Sequence, residues 1–140
     1  MMPRVYRGRM GAPAAYDDEA LAAFFAALGL ALGAGDLEDL TERFDLPALH
    51  VGQSASTVVT SPEQVLALHR ERPAAAAAAD AVAAVPEVRA VDEAGWGLLW
   101  VGVRWSYRDE LAAERAGDEV RYLLRRGRST FAVCVVAPVD

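Results

Sequence analysis

The chain has no lysine, no asparagine and no isoleucine, and it holds one cysteine and two histidines. All 14 of its basic residues are therefore arginine. Without lysine there is no Schiff-base nucleophile and no phosphate-loop lysine, and without asparagine there is no N-glycosylation acceptor. The lone Cys134 excludes an internal disulfide framework and any Cys-x-x-Cys redox or zinc site. His50 and His69 are too few for a three-histidine metal site, so no metal or other cofactor is expected. The three missing residue types share A/T-rich codons. A G+C-rich genome accounts for them, for the 29 alanines and for arginine as the sole cation.

What is present suits one domain. A chain of 140 residues with 54% hydrophobic content can build one core and bury roughly 68–70% of its unfolded surface. Twenty acids against 14 arginines leave a net charge of −6, which disfavours nucleic acid and anionic membranes as partners. The uncharged run over residues 20–35 is 16 long, short of the about 20 that a membrane span needs. Asp17, Asp18 and Glu19 precede that run, which is unlike a signal peptide. The expected compartment is the cytoplasm, where a single thiol stays reduced.

Residues 1–15 mix arginine, glycine and proline without periodicity and read as a flexible N-terminal arm, with residues 16–140 as the single folded domain. Asp17 is an N-cap for a helix carrying Leu21, Phe24, Phe25, Leu28 and Leu32, closed by Gly33 and Gly35. A short second helix starts at Asp36, with Leu37, Leu40 and Phe44 on one stripe, and Pro47 forbids its continuation. Short extended pieces follow at 48–51 and 57–60. Ser61-Pro62-Glu63-Gln64 is a capping box that opens a third helix bearing Val65, Leu68, His69 and Arg72. The alanine run after Pro73 predicts helix, kinked at the proline, to about residue 82. From there the pattern becomes strands at 88–92, 97–108, 118–126 and 130–137, with breaks at Gly95, Gly117 and Gly127. Helices first and a meander last is an α+β order, with helices on one face of a curved sheet.

That order, with Arg43-Phe44-Asp45-Leu46-Pro47-Ala48-Leu49 after the second helix and Thr60-Ser61-Pro62-Glu63-Gln64 opening the third, resembles the nuclear-transport-factor-2-like superfamily. Gly102-Val103-Arg104-Trp105-Ser106-Tyr107 in a long strand and Tyr122-Leu123-Leu124-Arg125-Arg126 before the last turn complete the likeness, over about residues 16–137. The superfamily includes ketosteroid isomerases and polyketide cyclases of the SnoaL type. The resemblance implies a cone-shaped half-barrel, with three N-terminal helices packed on a curved, mainly antiparallel sheet. It also implies a pocket for a small molecule between sheet and helices, and a homodimer formed through the sheet. Enzymes of this kind place an acid–base carboxylate or histidine just after the second helix. The nearest such residues here are Asp45 and His50. Relatives often start the last strand with Gly-x-Trp, where this chain has Gly127-Arg128-Ser129.

The residues themselves leave alternatives open. His50 either faces a pocket as a neutral-pH base or is a half-exposed strand histidine. Asp45 is either a carboxylate with a raised pKa in an apolar pocket or the group that bonds the turn before Pro47. Strand alternation puts Trp100, Gly102, Arg104 and Ser106 on one face and Val101, Val103, Trp105 and Tyr107 on the other. Trp100 with Arg104 could floor a ligand site that Tyr122 completes; otherwise that face is solvated or lies in a dimer interface. Arg121, Arg125, Arg126 and Arg128 crowd one hairpin turn and read as a solvated cluster. His69 reads as a helix-surface or core-edge residue, and Cys134, between valines, as a small core residue.

Overall fold

Asp17 accepts a hydrogen bond from the backbone of Glu19 at 2.9 Å and so starts helix α1 (Asp18–Ala34) in the computed structural model, which describes residues 16–127 and 130–139. The expected arm at 1–15 lies outside the described residues. Leu21, Phe24, Phe25, Leu28 and Leu32 of α1 are all buried, each contributing about 1.5–3 kcal/mol relative to leaving it in water, while Leu30 is exposed. On the same buried face, Gly29 sets how closely the helix packs. A Cβ there would lie 2.5 Å from the Ala84 carbonyl oxygen and 3.0 Å from the Trp105 ring, so only glycine lets the helix approach the sheet this closely. Gly35, at φ 66°, closes the helix in the left-handed region with its N–H on the Ala31 carbonyl.

Asp36 caps α2 (Leu37–Arg43) through the Asp39 amide at 3.1 Å. The helix was expected to run on to Pro47. It stops at Arg43 instead, because Phe44 is already extended and pairs with Val133 across the sheet. Strand β1 (Phe44–Val51) therefore contains Pro47, on its outward side, and hairpins into β2 (Ser56–Val59). In the capping box of α3 (Pro62–Glu71), the Gln64 amide N–H donates to Ser61 Oγ at 3.3 Å. The Gln64 side chain reaches one residue further back than expected and accepts from the amide and hydroxyl of Thr60.

The long alanine helix does not form. Proline disfavours helical backbone in the residue before it, and Arg72 is extended at φ −63°, ψ 139°. Helix α4 (Pro73–Ala77) is a single short piece, and β3 (Ala83–Gly95) begins five residues earlier than the alternation predicts. Pairing of Ala83 with Arg108 and Ala84 with Tyr107 overrides the helix propensity of alanine there. The hairpin turn at Trp96 and Gly97 leads into β4 (Leu98–Arg108), followed by β5 (Glu114–Arg126) and β6 (Phe131–Val139). Gly117 is not a break: β5 runs through it, opposite Ser106. A Cβ at Gly117 would meet the Arg104 guanidinium at 2.5 Å and the Trp105 carbonyl oxygen at 3.0 Å, which is why glycine sits inside a strand.

The six strands form one sheet in the order β2-β1-β6-β5-β4-β3, antiparallel except for the β1–β6 pair. The helices cover one face. On β4 the alternate residues Leu99, Val101, Val103, Trp105 and Tyr107 are all buried, whereas of the arginine-bearing set only Ser106 is, so that set faces away from the helices. The α+β arrangement expected from the sequence is the one observed.

Candidate functional site

Helix α3 presents Val65, Leu68 and His69 at i, i+3 and i+4, a single helical stripe, and Arg72 follows as its extended C-cap. That stripe faces Leu28 and Leu32 of α1 and the inner side of β1, β5 and β6 across a narrow cleft with a cavity volume of about 30 Å³. The wall is apolar apart from four side chains: His50 on β1, His69 on α3, Arg72 just after it, and Tyr122 on β5. A mostly apolar wall with a few converging polar groups is the usual make-up of a small-molecule site.

Two of the polar groups, Arg72 and Tyr122, are each held by buried hydrogen bonds. Arg72, 7% exposed, donates from Nε to Asp118 Oδ2 at 2.9 Å and from Nη2 to Asp118 Oδ1 at 3.1 Å. The same Nη2 donates to the Tyr107 hydroxyl at 2.6 Å. Trp105 Nε1 donates to the Tyr122 hydroxyl at 2.7 Å. Burial pushes Tyr122 up to about 12 and Tyr107 up as well, so both phenols keep their protons. Burial alone would draw the Arg72 pKa down, but the hydrogen bond and charge of Asp118 oppose it and the guanidinium stays charged.

His69 is the exception to this satisfied pattern. Its Nδ1 is buried and has no hydrogen-bond partner among the described residues. Burial first, and then the Arg72 charge, pull its pKa down to about 4, against a weaker opposite pull from Asp118. The ring is therefore neutral near pH 7. His50 is shifted the same way, by its burial and by Arg72, and it too offers a neutral imidazole to the cleft.

Of the residues singled out from the sequence, His50 and Tyr122 line the cleft together. Asp45, Trp100 and Arg104 do not. Asp45 alternates with the inward Phe44, and its carboxylate accepts from Arg125 Nε at 2.9 Å, with the Cys134 sulfur 4.0 Å away. Trp100 lies on the face turned away from the helices, with the Arg121 guanidinium 5.0 Å over its ring. Arg104 on that face forks onto Glu114 at 2.9 and 3.0 Å. That hydrogen bond, more than any other influence, holds the Glu114 carboxyl down to about 2. The residues that the sequence pattern left unassigned to a site are His69 and Arg72, and the α3 stripe was the signal that contained them. Among the described residues, no cluster of three or more His, Cys, Asp or Glu side chains comes together to hold a metal, and no helix is long and apolar enough to cross a membrane.

Helices on one face of a six-stranded, mostly antiparallel sheet, with a cleft between them, define an NTF2-like α+β protein. The chain belongs to the family described as NTF2-like protein (DUF6841), which matches residues 17–140. No curated protein matches it. Among solved structures it is similar to an NTF-2 like protein of unknown function from Shewanella oneidensis, at 9% identity and a TM-score of 0.59, covering 87% of this chain and 98% of that one. It is also similar to Aln2 from a Streptomyces species, at 19% identity and a TM-score of 0.62, covering 89% and 93%. A third likeness, to an NTF2-like protein from Novosphingobium aromaticivorans, has 15% identity and a TM-score of 0.57, covering 87% and 80%. At these identities the likeness is one of fold.

Proposed function

We propose that this protein binds a small, mostly apolar molecule in the cleft between α1, α3 and the inner face of the sheet, with one polar group directed at His69. The observation that carries this reading is that His69, whose Nδ1 is buried and unpartnered, lines a mostly apolar cleft. A buried polar atom without a partner costs about 1–3 kcal/mol, and a ligand that bonds it recovers that cost on binding. Tyr122 also lines the cleft, and its oxygen accepts from Trp105, which leaves its hydroxyl proton to offer. His50 is the group able to take up a proton there at neutral pH, so any acid–base chemistry runs through His50 rather than the ion-paired Asp45. The working compartment is the cytoplasm.

A thermal-shift screen of steroids, small aromatic phenols and ketones tests this. A ligand at 100 times its dissociation constant adds about 2.7 kcal/mol of apparent stability. The expected hit raises the melting temperature of the native chain but not of His69→Phe. A hit whose effect survives His69→Phe, or one abolished by Arg104→Ala on the far face, would remove the reading.

A second reading concerns assembly, and a specific row of residues favours it. Register places Val58, Leu49, Val135, Leu123 and Trp100 side by side across the outer face of five strands. Val58 and Leu49 are exposed, and so continuous an apolar stripe suits a second copy of the chain packed sheet to sheet. Light scattering at micromolar concentration should give twice the chain mass, and a monomer would sink the idea. A dimeric scaffold with an unused cleft remains the non-catalytic alternative, and the ligand screen separates the two.

A further inference from the structure

Resting on the pocket reading above, we infer that Asp118 sets the charge class of the ligand: by engaging Arg72 it makes the cleft select a neutral hydroxyl or carbonyl over a carboxylate or phosphate. Among the described residues Arg72 is the sole cation lining the cleft, and a buried arginine facing a cavity would ordinarily be an anion receptor. Here its Nε and Nη2 are already engaged and its charge is paired. Two of its nitrogens hold both Asp118 oxygens, and Nη2 holds the Tyr107 hydroxyl as well. Tyr107 in turn donates to Asp118 Oδ1 at 3.3 Å, which locks the carboxylate from a second side.

A ligand carboxylate would therefore enter beside a neutralised pair. It would have to displace Asp118, leaving that charge stranded, or lose its own hydration with no free cation to replace it. A neutral oxygen meets no such obstacle, because the groups left to it are uncharged: the unpartnered His69 Nδ1 and the Tyr122 hydroxyl. The charged neighbours on α3, Arg70 and Glu71, are exposed, of opposite sign and outside the lining of the cleft; Arg70 lowers the pKa of His69 and Glu71 raises that of His50.

The test is a pair of ligands differing in one group, 4-ethylphenol and 4-ethylbenzoate, titrated at pH 7 and followed by NMR at the Trp105 indole N–H and the His69 ring. The expected result is at least tenfold tighter binding of the phenol by the native chain. Asp118→Asn frees the Arg72 fork and should raise benzoate affinity at least tenfold, to match or exceed the phenol. The double variant R72M/D118L keeps the uncharged character and should retain the phenol preference, so it stands in where Asp118→Asn does not fold. Equal binding of the two ligands by the native chain overturns the role of Asp118 and leaves the pocket reading intact. An unchanged phenol preference in folded Asp118→Asn also overturns it. If neither ligand shifts either signal, the pocket reading falls and the inference falls with it.

Discussion

Arg72 and Arg104 each hold a carboxylate with a two-pronged hydrogen bond, on opposite faces of the same sheet. Arg72 and Asp118 are 7% and 18% exposed, under α3 and beside the cleft, whereas Arg104 and Glu114 are 31% and 42% exposed on the side away from the helices. A tryptophan accompanies each pair: Trp105, fully buried and bonded to Tyr122, and Trp100, beneath the Arg121 guanidinium. The residue types are alike, and the solvent is what differs. Where water is excluded, removing one partner strands a charge; where water reaches, it takes the lost partner's place.

The sharpest break of that comparison is Asp118→Ala. It leaves a buried guanidinium without its counter-charge and should cost about 3–5 kcal/mol of stability, read as a lower urea midpoint. R72M/D118L removes both charges and should recover most of that loss. A small effect from Asp118→Ala would mean that water reaches Arg72 and that the inner face is less dry than its packing implies.

The second break uses acid. His69 has its pKa lowered from 6.5 to about 4 in the folded chain, so between those values the unfolded chain binds a proton that the folded chain refuses. Stability is therefore full above about pH 6.5, declines as pH falls and has lost this contribution by about pH 4, a total of about 3 kcal/mol. His50, shifted in the same direction, adds to the same slope. Urea midpoints across that range should show the decline, and His69→Gln should flatten most of it. An unchanged slope in His69→Gln would place the titration elsewhere.

Features that depend on near neighbours along the chain are legible in the sequence itself. Asp17, Ser61 and Gln64 cap the helices they were expected to cap, because a cap is made within three or four residues. Alternation also sorted β4 into two faces, yet both carried a tryptophan and nothing local decided which one met the helices. That is decided by distant partners: Phe25 against Tyr122, and Gly29 against Trp105. Arg72 was hidden for the same reason. Its partner Asp118 is 46 residues away, and the proline and alanines after it suggested a helix that the pairing of β3 with β4 overrides. Gly117 looked like a strand end because glycine usually is one, while here it makes room for Arg104.

A third prediction probes the outer face as an interface. Leu123 sits at the middle of the apolar row, between Trp100 and Val135. In the proposed dimer, Leu123→Arg would set like charges against each other across the two-fold axis and should yield monomers by light scattering. The cleft lies on the other side of the sheet, so ligand binding should persist.

The smallest expected effect is the most informative about solvent. Glu114→Gln removes the charge on which Arg104 forks, and the lowered pKa of that carboxyl suggests a strong pair. Both side chains are open to water, however, and the Debye length falls from about 10 Å at 0.1 M salt to about 3 Å at 1 M. The urea midpoint of Glu114→Gln should match that of the native chain within error at pH 7 in about 1 M salt, with any difference confined to low salt. A salt-independent loss approaching that of Asp118→Ala would show that the Arg104 pair is dry in solution. Since no described residue of a single copy covers it, the covering surface would have to come from a second molecule, and the contrast between the two faces would then belong to the monomer alone.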